Sequence, residues 1–180
     1  MASSPAFKRP YLDANVYIAA ISGPQAADPA KVQLAAEILQ LAEQGMFQVF
    51  ASTFIEAEVI KPAGSAVPLT QTQEGTIEAY FNRDCFVWIE VDRPIAQKAR
   101  QIARDHSGFR PPDAVHVASA LRANCDQLLT WDENLNNKGA GRTIETLYIC
   151  PPHLAGYQAS FLPPVLPSGA TDGIEEETGA

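Results

Sequence analysis

The chain has 180 residues and a formal net charge of −8, with 46% apolar and 19% charged side chains. That length is enough to bury a full core in one domain of ordinary size. The acid excess excludes a nucleic-acid binder that relies on a broadly basic surface. Much of the excess lies in Asp172 and Glu175 to Glu177, so a nucleic-acid substrate reached through a metal or a local basic rim stays open. No stretch approaches the roughly 18 apolar residues that a membrane span needs. The start M-A-S-S-P-A-F-K-R-P has no apolar signal core. Cys85, Cys125 and Cys150 lack C-x-x-C spacing, which fits reduced thiols in the cytoplasm.

Residues 1–9 read as a flexible leader. Tyr11 and Leu12 begin a short strand ending at Asp13, and Val16, Tyr17 and Ile18 continue as an apolar segment until Gly23-Pro24 breaks it. Asp28-Pro29 opens a helix with an N-cap acid and proline at its first position, and Gly45 closes it. Residues 47–51 are expected as a strand. Ser52-Thr53 then turns into a helix in which Thr53 and Glu56 have capping-box spacing. Lys61-Pro62 ends that helix, residues 62–75 read as a connection, and a further helix is expected over 76–82.

Residues 85–91, C-F-V-W-I-E-V, are strongly strand-like. Asp92-Arg93-Pro94 starts the next helix, with Ile95, Ala99, Ile102 and Ala103 on one face and Gly108 near its end. Pro111-Pro112-Asp113 opens another, with Ala114, Val117, Ala118 and Leu121 facing inward. Residues 127–131 and 147–150 are the last expected strands. From residue 151 the chain is Pro-rich and then acidic, and 151–180 read as an extended or disordered tail beyond a domain at 10–150. Strands alternating with helices predict a three-layer α/β/α sandwich around a mainly parallel sheet.

Four acids mark one edge of that sheet. Asp13 and Asp132 fall at strand C-terminal ends, and Glu58 and Asp113 lie in early turns of helices starting there. Asp13, Asp113 and Asp132 each have a structural alternative as a helix or turn cap, and with Glu56 accounted for by Thr53, Glu58 is left without one. Four acids converging on one crevice repel one another unless a cation joins them. His116 lies one turn beyond Asp113 on the same helix. Lys61, Arg110, Lys138 and Arg142 flank the acidic motifs as candidates for a basic rim. Zinc-type His/Cys spacing, a P-loop and a G-x-S-x-G elbow are all absent from the sequence.

The segments Y-L-D-A-N-V, A-S-T-F-I-E-A-E-V, P-D-A-V-H-V-A-S-A-L and L-L-T-W-D-E-N-L together resemble the PIN domain family, which includes the VapC-type toxins of bacterial toxin–antitoxin pairs. The resemblance covers about residues 10 to 150. It implies a Mg²⁺- or Mn²⁺-dependent ribonuclease that cleaves single-stranded or structured RNA with a metal-activated water. It also implies that Asp13, Glu58, Asp113 and Asp132 are the catalytic, metal-holding acids, with Asn15 and Thr130 in support. Lys61, Arg110 and His116 are the substrate-binding candidates. The expected partners are an RNA substrate, a protein antitoxin and a second copy of the chain, with no membrane.

Two alternatives accompany this expectation. A phosphatase of the haloacid-dehalogenase kind needs D-x-D after its first strand, where this chain has Asp13-Ala14-Asn15. A catalytically silent PIN-like binding module has no reason to keep a repulsive acid cluster.

Overall fold

A computed structural model describes residues 9–22, 28–62, 64–155 and 157. Six strands form one sheet: β1 (Pro10–Leu12), β2 (Val49–Ser52), β3 (Phe86–Ile89), β4 (Gln127–Leu129), β5 (Arg142–Ile144) and β6 (Leu147–Cys150). Their spatial order is β3-β2-β1-β4-β6-β5. All neighbouring pairs run parallel except β5 with β6. The order reverses between β1 and β4, which opens a crevice beyond their C-terminal ends.

Right-handed crossovers put the helices between β1 and β3 on one face and those between β3 and β4 on the other. The first group is α1 (Ala14–Ser22), α2 (Pro29–Glu43), α3 (Phe54–Glu58) and α4 (Gln71–Phe81). The second is α5 (Arg93–Asp105) and α6 (Pro111–Arg122). The core lies on both sides of the sheet, with Tyr11, Leu12, Val49, Leu128, Leu129 and Ile149 fully enclosed. Among the described residues, no helix is long and apolar enough to cross a membrane.

Helix starts with local chemistry form as expected. Asp28 accepts from Lys31 N (3.2 Å) and Asp92 from Ile95 N (3.0 Å), each followed by a proline in the first turn. The apolar segment after Asp13 is helical, burying Val16, Tyr17, Ala19 and Ile21 in α1; Gly23-Pro24 lie outside the described residues. The capping box does not form at Thr53. Its backbone is itself helical (φ −58°, ψ −16°), so its hydroxyl makes no cap bond. A box forms instead at Thr70, where Gln73 N donates to Thr70 Oγ1 (3.3 Å) and Thr70 N to Gln73 Oε1 (3.0 Å). Helix α4 therefore begins at Gln71 rather than 76, inside the segment read as a connection.

Strand β5 is unforeseen, and it closes a two-residue hairpin onto β6 through Glu145 at φ +53°. Packed structure also continues past Cys150. Tyr157 is buried, its ring 4.7 Å from that of Phe47, and its hydroxyl donates to Gln127 Oε1 (2.5 Å). Residues 1–8 of the expected leader and 158–180 of the expected tail lie outside the described residues. The three cysteines form no disulfide.

Candidate metal centre

Asp13 leaves the sheet where β1 ends, and its N–H donates to Leu129 O (3.1 Å), which fastens it beside β4. Thr130 and Asp132 follow β4 directly, so the switch point brings the first and last motifs together from 117 residues apart. Asp13 Oδ2 accepts from Thr130 Oγ1 (2.5 Å) and Asn15 Nδ2 (2.6 Å), and its Oδ1 from Ala14 N (2.8 Å). Asn15 closes the ring, donating to Thr130 Oγ1 (2.8 Å) and accepting from Trp131 N (3.2 Å). Thr130 Oγ1 also accepts from Asp132 N (2.9 Å). Asn15 and Thr130 thus hold the acids in place and join two loops.

Glu58 is the last residue of α3, and His116 sits one turn along α6 on the opposite face. His116 Nε2 lies 2.6 Å from Glu58 Oε2 and 3.6 Å from Asp13 Oδ1, and the ring is only 2% exposed. Its other nitrogen, Nδ1, is 2.8 Å from the hydroxyl of Tyr11. That hydroxyl donates to Ser52 Oγ (2.8 Å) and accepts from Ser52 N (3.1 Å). With its proton committed to Ser52, the Tyr11 oxygen accepts from Nδ1–H, which turns Nε2 toward the acids. Nothing in the motif spacing reveals Tyr11 and Ser52. The available signal is that a tyrosine in a buried central strand needs a partner for its hydroxyl.

Burial pushes the Asp13 carboxyl above the ordinary carboxylate value; His116 and the Thr130 hydrogen bond oppose the rise, and Glu58 adds to it. For His116, burial is the largest single influence and acts downward. The Glu58 hydrogen bond and the charges of Asp13, Glu58 and Asp113 together outweigh it and raise the imidazole. The pocket therefore favours positive charge facing Asp13 and Glu58, which either a proton on Nε2 or a cation in its place would supply.

Asp13, Glu58 and His116 each offer one ligand atom, all within 4.8 Å of one another. Two buried carboxylates and one imidazole nitrogen with its tautomer set from behind fit a divalent cation.

Asp113 and Asp132 form a second group. Arg110 precedes α6 and gives its backbone N (3.1 Å) and Nε (3.2 Å) to Asp113 Oδ2, and Nη2 to Asp113 Oδ1 (3.3 Å). The same Nη2 reaches Asp132 Oδ2 (3.1 Å). Asp132 Oδ1 caps the following turn, accepting from Asn134 N (2.8 Å) and Leu135 N (3.2 Å).

Lys61 is exposed beyond α3, and no ion pair among the described residues joins it to these acids. Lys138 is an exposed turn residue at φ +54°, and Arg142 lies over the Phe109 ring at 4.9 Å. Of the four basic candidates, Arg110 is the one that meets the acids. A cavity of about 560 Å³, lined by Arg9, Phe47, Phe50 and Cys85, opens at the opposite strand ends and holds none of them.

The fold has solved counterparts. A toxin–antitoxin complex from Klebsiella pneumoniae aligns with a TM-score of 0.52 at 19% identity, over 76% of this chain and 93% of the other. VapC20 of Mycobacterium tuberculosis, described as a sarcin-ricin loop cleaving toxin, aligns with a TM-score of 0.55 at 12% identity, over 72% and 95%. VapBC2 from Rickettsia felis, bound to a fragment of promoter DNA, gives 0.53 at 13% identity, over 78% and 96%. No curated protein matches the sequence significantly. The sequence profile of the PIN domain matches residues 11–141, the span from β1 past the Asp132 turn, and the chain belongs to the PIN domain family.

Proposed function

We propose that this protein is a metal-dependent endoribonuclease, with Asp13, Glu58, Asp113 and Asp132 as its essential acids and Mg²⁺ or Mn²⁺ as the ion. The observation that carries this reading is the convergence of Asp13, Glu58 and His116 Nε2 at the sheet's switch point. Asp13, Glu58 and His116 would hold the ion. When bound, it supplies charge neutralisation at the phosphate and a water acidified for attack.

The chain's own residues do the rest. Thr130, Asn15 and Ala14 N hold the Asp13 carboxylate so that its orientation is set before substrate arrives. Tyr11 and Ser52 fix His116, and His116 in turn orients Glu58. Arg110, 68% exposed along its side chain, brings positive charge to the rim, where RNA phosphates approach an otherwise acidic surface. No serine, threonine or cysteine nucleophile is needed, since water attacks the phosphodiester in line.

The proposed setting is that of the toxin in a toxin–antitoxin pair, with a protein antitoxin as partner and a homodimer as the assembled form. Support comes from the counterparts of the same fold, the Klebsiella toxin–antitoxin complex and the Rickettsia VapBC2. The test is cleavage of structured and single-stranded RNA by purified protein in Mn²⁺ or Mg²⁺, with EDTA and an identically purified Asp13→Asn variant as controls. Cleavage that survives EDTA, or that Asp13→Asn retains in full, refutes the proposal.

A further inference from the structure

Trp131 lies between Thr130 and Asp132, and neither metal holding nor the bracing of the acids uses its side chain. Its N–H donates to Asn15 Oδ1 (3.2 Å), and the amide of Asn15 holds Asp13 Oδ2 (2.6 Å). The indole therefore rides on the loop that carries the acids, fixed to the same ring of hydrogen bonds. It is half-buried, with its body against the core.

Lys31 Nζ stands over the ring, 5.8 Å from its centroid, within the range of a cation–π contact. The backbone of Lys31 is fixed in the first turn of α2, where its N–H donates to Asp28 Oδ1 (3.2 Å). Its ammonium is not fixed. The ion pair with Asp28 Oδ2 is 3.5 Å long, its two side chains are 46% and 49% exposed, and a pair so placed in water contributes little. The face of the ring under Lys31 is thus covered by a cation that can move.

Helix α2 lies on one face of the sheet, and Arg110 enters α6 on the other. Lys31 and Arg110 therefore flank residues 130–132 from opposite sides, one over Trp131 and the other on Asp132. A phosphate chain that crosses the sheet edge from one cation to the other passes Asp13 and Asp132. The base on the Lys31 side of that path meets the indole.

Resting on the metal-dependent ribonuclease reading above, we propose that Trp131 is the seat of the base beside the scissile phosphate, with Lys31 as the partner of that nucleotide's phosphate. The base stacks on the ring face that the ammonium vacates, and the ammonium turns to the phosphate. A base inside a duplex has no free face to offer, so the nucleotide in this seat is unpaired. Stacking is open to every base, so the seat selects strandedness and not sequence.

The experiment uses the full-length protein in EDTA, with a short fluorescein-labelled single-stranded RNA and the same strand annealed to its complement. Anisotropy gives the affinity, and tryptophan emission is followed with unlabelled RNA. Wild type should bind the single strand more tightly than the duplex, with quenching of Trp131. Trp88, the other tryptophan, packs on Phe81 and Phe86 with its indole N–H on Phe81 O (3.2 Å), and should not respond. Trp131→Phe should keep most of the affinity and lose the quench. Trp131→Leu keeps an apolar body and should weaken single-strand binding by roughly 5- to 150-fold. Its Mn²⁺ affinity should stay within about twofold of wild type. Lys31→Gln should flatten the slope of log affinity against log salt by about 0.7, the share of one phosphate contact on a single strand.

An undiminished quench in Trp131→Phe, single-strand affinity within about twofold of wild type in a folded Trp131→Leu, or an unchanged salt slope in Lys31→Gln would each overturn the inference. So would a wild type that binds no RNA. Should Trp131→Leu fail to fold, the Trp131→Phe emission and the Lys31→Gln slope decide it. Failure to cleave RNA with any divalent ion is a different result, because it removes the metal-dependent reading and leaves the binding measurements to decide the seat.

Discussion

Replacing Tyr11 with phenylalanine removes one oxygen and leaves the packing of β1 unchanged, so its cost isolates the network behind the candidate centre. That oxygen accepts from Ser52 N (3.1 Å), donates to Ser52 Oγ (2.8 Å) and meets His116 Nδ1 (2.8 Å). Tyr11, Ser52 and His116 are all buried, so water cannot replace it. Its loss strands the Ser52 N–H and His116 Nδ1, and a buried donor left unsatisfied costs roughly 1–3 kcal/mol. For a domain of this size, about 2 kcal/mol lowers Tm by roughly 4–8 °C. His116 also loses the group that fixes its tautomer, so Mn²⁺ affinity should fall by about 10–100-fold. Thermal melts in EDTA and titration with Mn²⁺ measure the two effects separately. A variant that melts with the wild type and binds Mn²⁺ equally well would show that the Tyr11–His116 contact neither stabilises the fold nor prepares the site.

Glu56 and Glu58 should separate cleanly. Glu56→Ala removes an exposed side chain with no cap partner at Thr53 and should stay within about 0.5 kcal/mol of wild type, whereas Glu58→Ala should abolish Mn²⁺-dependent cleavage; a reversed result places the site on the other face of α3. Thr70→Ala removes the capping box of α4 and should cost about 1 kcal/mol in urea unfolding, with cleavage retained. Tyr157→Ala empties the contact with Phe47 and breaks the bond to Gln127, so it should cost about 3 kcal/mol. A change below about 0.5 kcal/mol there would mean that the chain after β6 adds nothing to the core.

What was legible in the sequence was chemistry that acts within a few residues. Asp28-Pro29 and Asp92-Pro94 start helices because the cap, the proline and the amide it serves all lie within one turn. The alternation of strands and helices implied a parallel sheet, and its crossovers were enough to put Asp13, Glu58, Asp113 and Asp132 at one edge. Local signals misled where a neighbour prevailed. Thr53 has the right spacing for a cap, but its N–H bonds to Ile89 O beside β3 and its backbone is already helical. Gly75 suggested a loop, yet it lies inside α4 because the box at Thr70 starts the helix earlier. Strand β5 escaped notice because its hairpin turns through Glu145 and Thr146, without the Asn-Gly chemistry that announces such a turn.

The division of the site belongs to the tertiary structure alone. Sequence order treats the four acids as equals. Only the packing of α6 against the sheet puts His116 between Tyr11 and Glu58, and only the return of the chain after β4 puts Asp132 within reach of Arg110. Those contacts span 105, 58 and 22 residues. No local propensity specifies a partner at such distances, because the pairing forms only when the strands between them take their places in the sheet.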